Sequence, residues 1–434
     1  MGPIVAEPRM LINLDQRNID IVNPVMASMT TGAGSDASTQ WLSSAEAARR
    51  LGIKTGTLYS YVSRGVVRSF PAPDGRTSRF DRTDVESLLT RRRSHPGGSA
   101  DAVVASRITQ LAEEGVSYRG HPIEQLAASH TFEEVAALRW DCEPDGGPWA
   151  PADLAAPLPD VDAGLADLLR LAITLSAITD LHRHDIRPPS VVVSARRLIA
   201  SCVAALPVTA ASGPTLVLGG RRRPGSIAAA LSVRLGAQKV SGPLVQAVNT
   251  ALVLLADHEL ATSTYAARVA ASTRADVCSA VLAGAACGGP LHVGASRDVA
   301  RLFADARERG PALAVADMLR WRRYIPGFGH KIYRRDPRFA MLFEASTSPS
   351  FPKARVELVH EVLAVASERV PVEPNVDFAG AALAFCAGLR DDAAEAIFLV
   401  ARMAGWVAHA LEEYTEEPLR FRTRGLYVGE PRRR

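Results

Sequence analysis

The chain has 434 residues, 47% of them hydrophobic, and carries 50 Lys plus Arg against 46 Asp plus Glu. At the usual ~150 residues per domain it has room for two or three domains with a sizeable core, and a net charge of +4 is too small to speak about nucleic acid until its distribution is known. The five cysteines are scattered, odd in number and form no CxxC pair, so they support neither a zinc site nor a disulfide framework and fit a reducing cytoplasm. No run reaches the ~18 uninterrupted apolar residues of a membrane span, and the N-terminus lacks the basic start and apolar core of a secretion signal.

Residues 1–40 show little periodicity, and 26–40 (MASMTTGAGSDASTQ) are small and polar, which predicts a flexible leader. From Trp41 the pattern changes. Ser43 followed by Glu46 is a capping-box start for a short helix to Leu51, with Gly52 as the turn. A second helix starts near Thr55 and runs to Gly65. It buries Leu58, Tyr61 and Val62 on one face and leaves Thr57, Tyr59, Ser60, Ser63 and Arg64 outward. Two β-like runs, 66–70 and 77–80, are joined through Pro73, Asp74 and Gly75, a combination suited to a hairpin wing; 81–89 reads as a further helix. Helix, turn, helix, wing over residues 41–93 resembles the winged helix-turn-helix of the MerR and excisionase type. Eleven Lys/Arg and five Asp/Glu fall in that stretch, so the positive charge of the chain is concentrated there, as phosphate contact requires. The module is therefore a possible DNA-binding head. In that role Thr57, Tyr59, Ser60 and Arg64 would enter the major groove, with Arg76 and Arg79 of the wing on phosphates.

Residues 94–100 (SHPGGSA) read as a linker. From 101 to 434 the pattern is almost entirely helical, with helices expected at 123–126, 132–138, 165–181, 226–235 and 242–255; SVVVS at 190–194 is ambiguous between strand and helix. LGGRRRPG at 218–225 reads as a basic solvated turn.

Three short loops in this body carry chemistry. GGPLHVGAS (288–296) sets His292 among small residues. GFGHKIYRRDPR (327–338) sets His330 just after Gly327 and Gly329, which permit positive φ and close approach, and Lys331, Arg334, Arg335 and Arg338 follow, suited to a small polyanion. PNVDFAG (374–380) sets Asp377 among apolar neighbours. A carboxylate raised in pKa can take a proton from carbon while neutral imidazoles donate to oxygens that gain charge; the chemistry implied is that of an enol.

These three loops, in this order and spacing, resemble the citrate synthase family. So do SYRGHPIEQLAASHTFEEVAALRW (117–140), ADHELATSTYAARVAAST (256–273), VARMAGWVAHALEE (400–413) and RTRGLYVG (422–429). The resemblance covers 101–434 and implies a mainly α fold with all-helical large and small domains, the small one at roughly 296–395. It implies that His292 bonds the thioester carbonyl of acetyl-CoA, Asp377 removes a proton from its methyl carbon, and His330 polarises the ketone of oxaloacetate. Arg338, Arg402 and Arg422 match the family's carboxylate clamp and His258 a further oxaloacetate ligand; Lys331 and Arg334 are candidates for the CoA phosphates. In the family the last arginine reaches the partner subunit's site, which implies a homodimer. Acetyl-CoA is the co-substrate, and no metal or prosthetic group is expected. Val293 and Ser296 stand where the family has glycine and asparagine, Leu255 where many members have histidine, and the segment 330–338 is one residue short. None of these removes a catalytic group, so the expected effect is on substrate choice or rate. The sequence thus reads as a cytoplasmic citrate synthase with a helix-turn-helix in front. A 2-methylcitrate synthase using propionyl-CoA, or a weakly catalytic ligand sensor controlling a DNA-binding head, are the alternatives.

Overall fold

The computed structural model describes residues 41–51, 53–63, 67–72, 77–81, 85, 104–112, 115–159, 161–208, 225–289 and 291–422. The chain divides into two compact units, Met1–Val104 and Ala105–Arg434.

In the first unit, strand β1 (Trp41–Ser43) leads into helices α1 (Ser44–Leu51) and α2 (Thr55–Ser63), followed by β2 (Ser69–Pro71) and β3 (Ser78–Asp81). The capping box is present: Ser43 N and Oγ donate to Glu46 Oε2 at 2.9 and 2.8 Å, and Glu46 N donates back to Ser43 Oγ. The strands form an antiparallel sheet in the order β1-β3-β2. The edge strand β1 was not anticipated, because its three residues are too few to show alternation and it pairs with residues some forty positions later, Trp41 opposite Asp81. Leu42, Ala47, Ala48, Leu51, Leu58, Val67, Phe80 and Val85 make the small core. Of the proposed DNA-facing residues, Tyr59 is exposed and Thr57 half-buried. Arg79 is half-buried, with its guanidinium 4.3 Å over the Trp41 ring. Arg64, Arg76 and the side chain of Ser60 lie outside the described residues; of the helix expected at 81–89 only Asp81 and Val85 are described, and Asp81 ends strand β3, paired with Trp41, rather than starting a helix.

The second unit opens on an antiparallel sheet, β4 (Thr109–Ala112), β5 (Gly115–Tyr118) and β6 (His121–Pro122), then turns helical. Helices α3 (Ile123–Ser129), α4 (Phe132–Trp140), α5 (Leu165–Thr179), α6 (Pro188–Ala205), α7 (Ile227–Arg234), α8 (Gly242–Leu255), α9 (Thr262–Ser272) and α10 (Val277–Ala286) come before the first chemistry-bearing loop. After it come α11 (Ala295–Arg309), α12 (Pro311–Arg322), α13 (Phe339–Ser346), α14 (Lys353–Ser367), α15 (Val376–Ala387) and α16 (Ala393–Glu413). SVVVS lies inside α6: Pro188 starts the helix, and burial of Val191 and Val192 outweighs the weak preference of β-branched residues for strands. The basic turn expected at 218–225 falls outside the described residues except for Gly225.

Helix α16 is the axis of this unit and packs against α4, α5, α6, α8, α9, α10, α11 and α15. Among the described residues it is the one helix with the length and hydropathy of a membrane span, and it is buried throughout that stretch as a core helix. A Cβ on Gly284 of α10 would lie 2.6 Å from the Trp406 ring, so glycine there is what lets α10 approach the axis. The chemistry-bearing residues sit in the turns between these helices and on α16 itself.

Candidate active site

The loop carrying His330 is laced to the segment carrying Asp377. Gly329 N donates to Glu373 O and Asn375 N to Gly327 O, both at 2.8 Å, while Asn375 Nδ2 donates to Gly329 O at 2.7 Å. Gly327 and Gly329 take φ of 81° and 79°. At Gly327 a Cβ would also stand 2.8 Å from Phe378 Cβ and 2.9 Å from Val299 Cγ2, so both conformation and space demand glycine. Asn375 then caps α15: its Oδ1 accepts from Asp377 N at 3.0 Å and from Phe378 N at 3.4 Å. One side chain thus fixes both loops.

His330 Nδ1 accepts from Ile332 N at 3.1 Å and Tyr333 N at 3.3 Å. A neutral imidazole with Nδ1 as acceptor carries its proton on Nε2. Burial, then the positive field of Arg338, hold this ring below the usual histidine range, so Nε2–H is a neutral donor. Tyr333 stacks on it with ring centroids 4.7 Å apart and places its hydroxyl 2.9 Å from His258 Nε2. His258 is buried, and that burial together with Arg338 and Arg402 pushes its pKa down to about 2. Arg338 forms a two-pronged pair with Asp336, Nε to Oδ1 and Nη2 to Oδ2, each at 2.9 Å. Asp336 Oδ2 also accepts from Val376 N at 3.0 Å, which ties the arginine to the start of α15.

His292 lies in the turn between α10 and α11, its Nε2 2.9 Å from Ser263 Oγ of α9 and its ring edge-on to Phe398 of α16 at 5.6 Å. Burial first, then Arg402 and Lys331, lower its pKa to about 4. Val293 beside it is buried at 1% exposure; its side chain points into the core, so the valine that replaces the family's glycine takes up space behind the histidine.

Asp377 is half-buried at the start of α15, and burial raises its carboxyl to about 6 against the pull of Arg338 and Arg402. Arg402 is buried on α16 over the Phe398 ring, 4.7 Å from its centroid. Its nearest acid is Asp257, Nη1 to Oδ1 at 3.9 Å, and Asp257 already faces Arg139 at 3.2 Å. Two buried guanidiniums therefore share one carboxylate, which leaves positive charge in excess there.

The fold brings His258, His330, Tyr333, Arg338 and Asp336 into direct contact, and the fields of Arg338 and Arg402 reach both His258 and Asp377. Lys331 and Arg334 are exposed beside the loop. Arg422 is exposed too, its backbone N–H on Leu419 O, and among the described residues its side chain makes no hydrogen bond to the other groups of this site. Tyr333, Ser263, Asn375, Asp336 and Asp257 were not singled out from the sequence. Only Asn375 carried a readable signal, an asparagine two residues before Asp377 at a helix start. Among the described residues no cluster of three or more His, Cys, Asp or Glu could hold a metal.

Residues 150–424 match the family model for the citrate synthase C-terminal domain, and 41–93 match a helix-turn-helix domain. Citrate synthase 2 of Bacillus subtilis is 30% identical over 76% of this chain and 95% of its own length. The 2-methylcitrate synthase 2 of Corynebacterium glutamicum is 27% identical over 78% of this chain and 94% of its own. In fold, the chain is similar to the citrate synthase of Thermoplasma acidophilum in its ternary complex with carboxymethyl coenzyme A and oxaloacetate, with a TM-score of 0.56 and 23% identity over 78% of this chain and 97% of that one. The matched domain model spans well over half of the sequence and covers all three loops of the site: this chain is an enzyme of the citrate synthase family, with a helix-turn-helix domain ahead of it.

Proposed function

We propose that the second unit condenses acetyl-CoA with oxaloacetate and water to give citrate and CoA. Asp377 takes a proton from the thioester's methyl carbon while His292 donates to the thioester oxygen. The enol carbon then attacks the ketone of oxaloacetate, to which His330 Nε2–H donates and gives its proton as the alkoxide forms. Water cleaves the resulting thioester. Arg338, Arg402 and His258 hold the oxaloacetate carboxylates and carbonyl, and Arg422 serves the site of a partner subunit in a homodimer. Lys331 and Arg334 meet the CoA phosphates. The reaction runs in the cytoplasm without a metal or prosthetic group.

The observation that carries this reading is the pairing of a carboxyl raised to about 6 with neutral imidazoles beside two buried guanidiniums. A base poised near neutral pH and donors that need not lose a proton first are what enolisation at carbon requires. Thiol release from acetyl-CoA with oxaloacetate tests it, run beside propionyl-CoA. The two thioesters differ by one methylene, worth ~1–3 kcal/mol in a pocket, so their kcat/KM ratio names the product. Turnover with neither, while oxaloacetate still raises the melting temperature, would make the unit a ligand sensor.

For the first unit we propose duplex DNA binding, supported by its local charge excess and by exposed Tyr59 on α2. Affinity for duplex is expected to fall steeply with added salt; no binding at low salt would leave the module as a docking unit.

A further inference from the structure

Behind Arg402, with Asp257 Oδ1 3.9 Å from its Nη1, lie groups that the proposed chemistry does not use. The arginine's Nε and Nη1 are buried without a hydrogen-bond partner, and so is the Oδ1 of Asp257 that faces it. The other oxygen of Asp257 is fully engaged: Thr109 Oγ1 donates to Oδ2 at 2.5 Å, His409 Nε2 lies at 3.1 Å and Arg139 Nη2 at 3.2 Å. The main chain of the same residue is pinned as well. Asp257 N donates to the Tyr118 hydroxyl at 3.2 Å, and that hydroxyl is 3.1 Å from Asp257 O.

The histidine in this chain of contacts has a determined tautomer. Arg268 Nη1 donates to His409 Nδ1 at 3.0 Å, so the ring proton sits on Nε2 and points at Asp257. Arg268 is itself held by Glu413 at 2.9 Å and Glu412 at 2.6 Å. Gly405 adds an independent sign of close approach. A Cβ there would lie 2.4 Å from Ala256 O and 2.6 Å from Asp257 Oδ1, so the glycine one turn after Arg402 is what admits Asp257 to the face of α16.

We infer that Asp257 is a positioning residue for substrate binding: turned by His409 and Thr109, it presents Oδ1 to Arg402 and fixes the aim of the guanidinium that receives an oxaloacetate carboxylate. The inference rests on the proposed role of Arg402. It gives Asp257 a selective signature, since a group acting through Arg402 changes the binding of the dicarboxylate and leaves the thioester alone. A purely structural counter-ion for Arg139 would affect both substrates and the melting temperature together.

The test uses the full-length enzyme, with steady-state kinetics in each substrate and melting temperatures for Asp257→Asn, His409→Gln, His409→Leu, Thr109→Val and Arg402→Gln. Asp257→Asn is expected to raise the oxaloacetate KM about 10- to 100-fold, the usual worth of a bond to a charged group, with the thioester KM held within about twofold. His409→Gln keeps an N–H donor and should stay near the wild type, whereas His409→Leu should follow Asp257→Asn. A folded Asp257→Asn enzyme with wild-type oxaloacetate KM, or an equal loss for both substrates, would overturn the inference. If Asp257→Asn does not fold, the His409 pair and Thr109→Val decide on the same criteria. An unchanged oxaloacetate KM in Arg402→Gln would sink the assignment of Arg402 itself. A raised one there, beside a wild-type value in Asp257→Asn, would sink this inference alone.

Discussion

Asp377→Asn is expected to lower kcat by about 10²–10⁴-fold, the usual worth of a positioned general base, with little change in either KM. Asparagine keeps the shape of the side chain and the backbone N–H that Asn375 accepts, so α15 should start as before and the loss should be chemical. The same carboxyl sets the pH dependence. Burial raises it to about 6, and a protonated carboxyl cannot take a proton, so kcat/KM should fall as pH drops through about 6, by a factor of ten per unit below it. His292 and His258, lowered to about 4 and about 2, stay neutral across that limb and do not contribute to it. A variant that keeps measurable turnover but loses the acid limb would fit this assignment; wild-type turnover in Asp377→Asn would end it.

The second large effect is expected at His330. Replacing it with alanine removes one neutral donor from the ketone oxygen and should reduce kcat by about 10²–10³-fold. The half-buried ring is held by two backbone N–H groups, the Tyr333 stack and polar neighbours, with Arg338 Nη2 3.4 Å from its Nε2, and it takes no part in the apolar core. The melting temperature should accordingly shift little. Single-turnover kinetics separate the possibilities: a loss confined to the oxaloacetate KM would make His330 a ground-state ligand and remove it from the chemical step.

What could be read in advance was what the chain encodes locally. The Ser43–Glu46 box and the helix at 242–255 were read within a residue of their bounds, because caps, proline at a first turn and helical periodicity are properties of neighbouring residues. The three loops were legible for the same reason, glycine and asparagine being chosen by local backbone needs. The buried cluster behind Arg402 was not. Thr109, Arg139, Asp257 and His409 meet across sequence separations of 148 and 152 residues for the two hydrogen bonds to Asp257, and nothing local marks a threonine on a short strand as the partner of an aspartate in a distant turn. Strand β5 was missed for a related reason: Tyr118 is buried to meet carbonyls at and just past the end of α8, and the four residues Gly115–Tyr118 offer too little alternation to detect. SVVVS shows the reverse case, in which tertiary burial decided a segment whose local preference was divided.

The lacing of residues 327–329 to 373–375 has a mechanical meaning. Three main-chain and amide bonds make the turn of His330 and the first turn of α15 a single plate, so the imidazole and the carboxylate of Asp377 ride on it together. Whatever breathing the cleft undergoes as ligands enter and leave, the spacing between these two groups is preserved. The partners free to travel are those on separate supports, His292 on its own turn and Arg402 on the axial helix. Opening such an enzyme would unclasp the substrates without dismantling the acid and base.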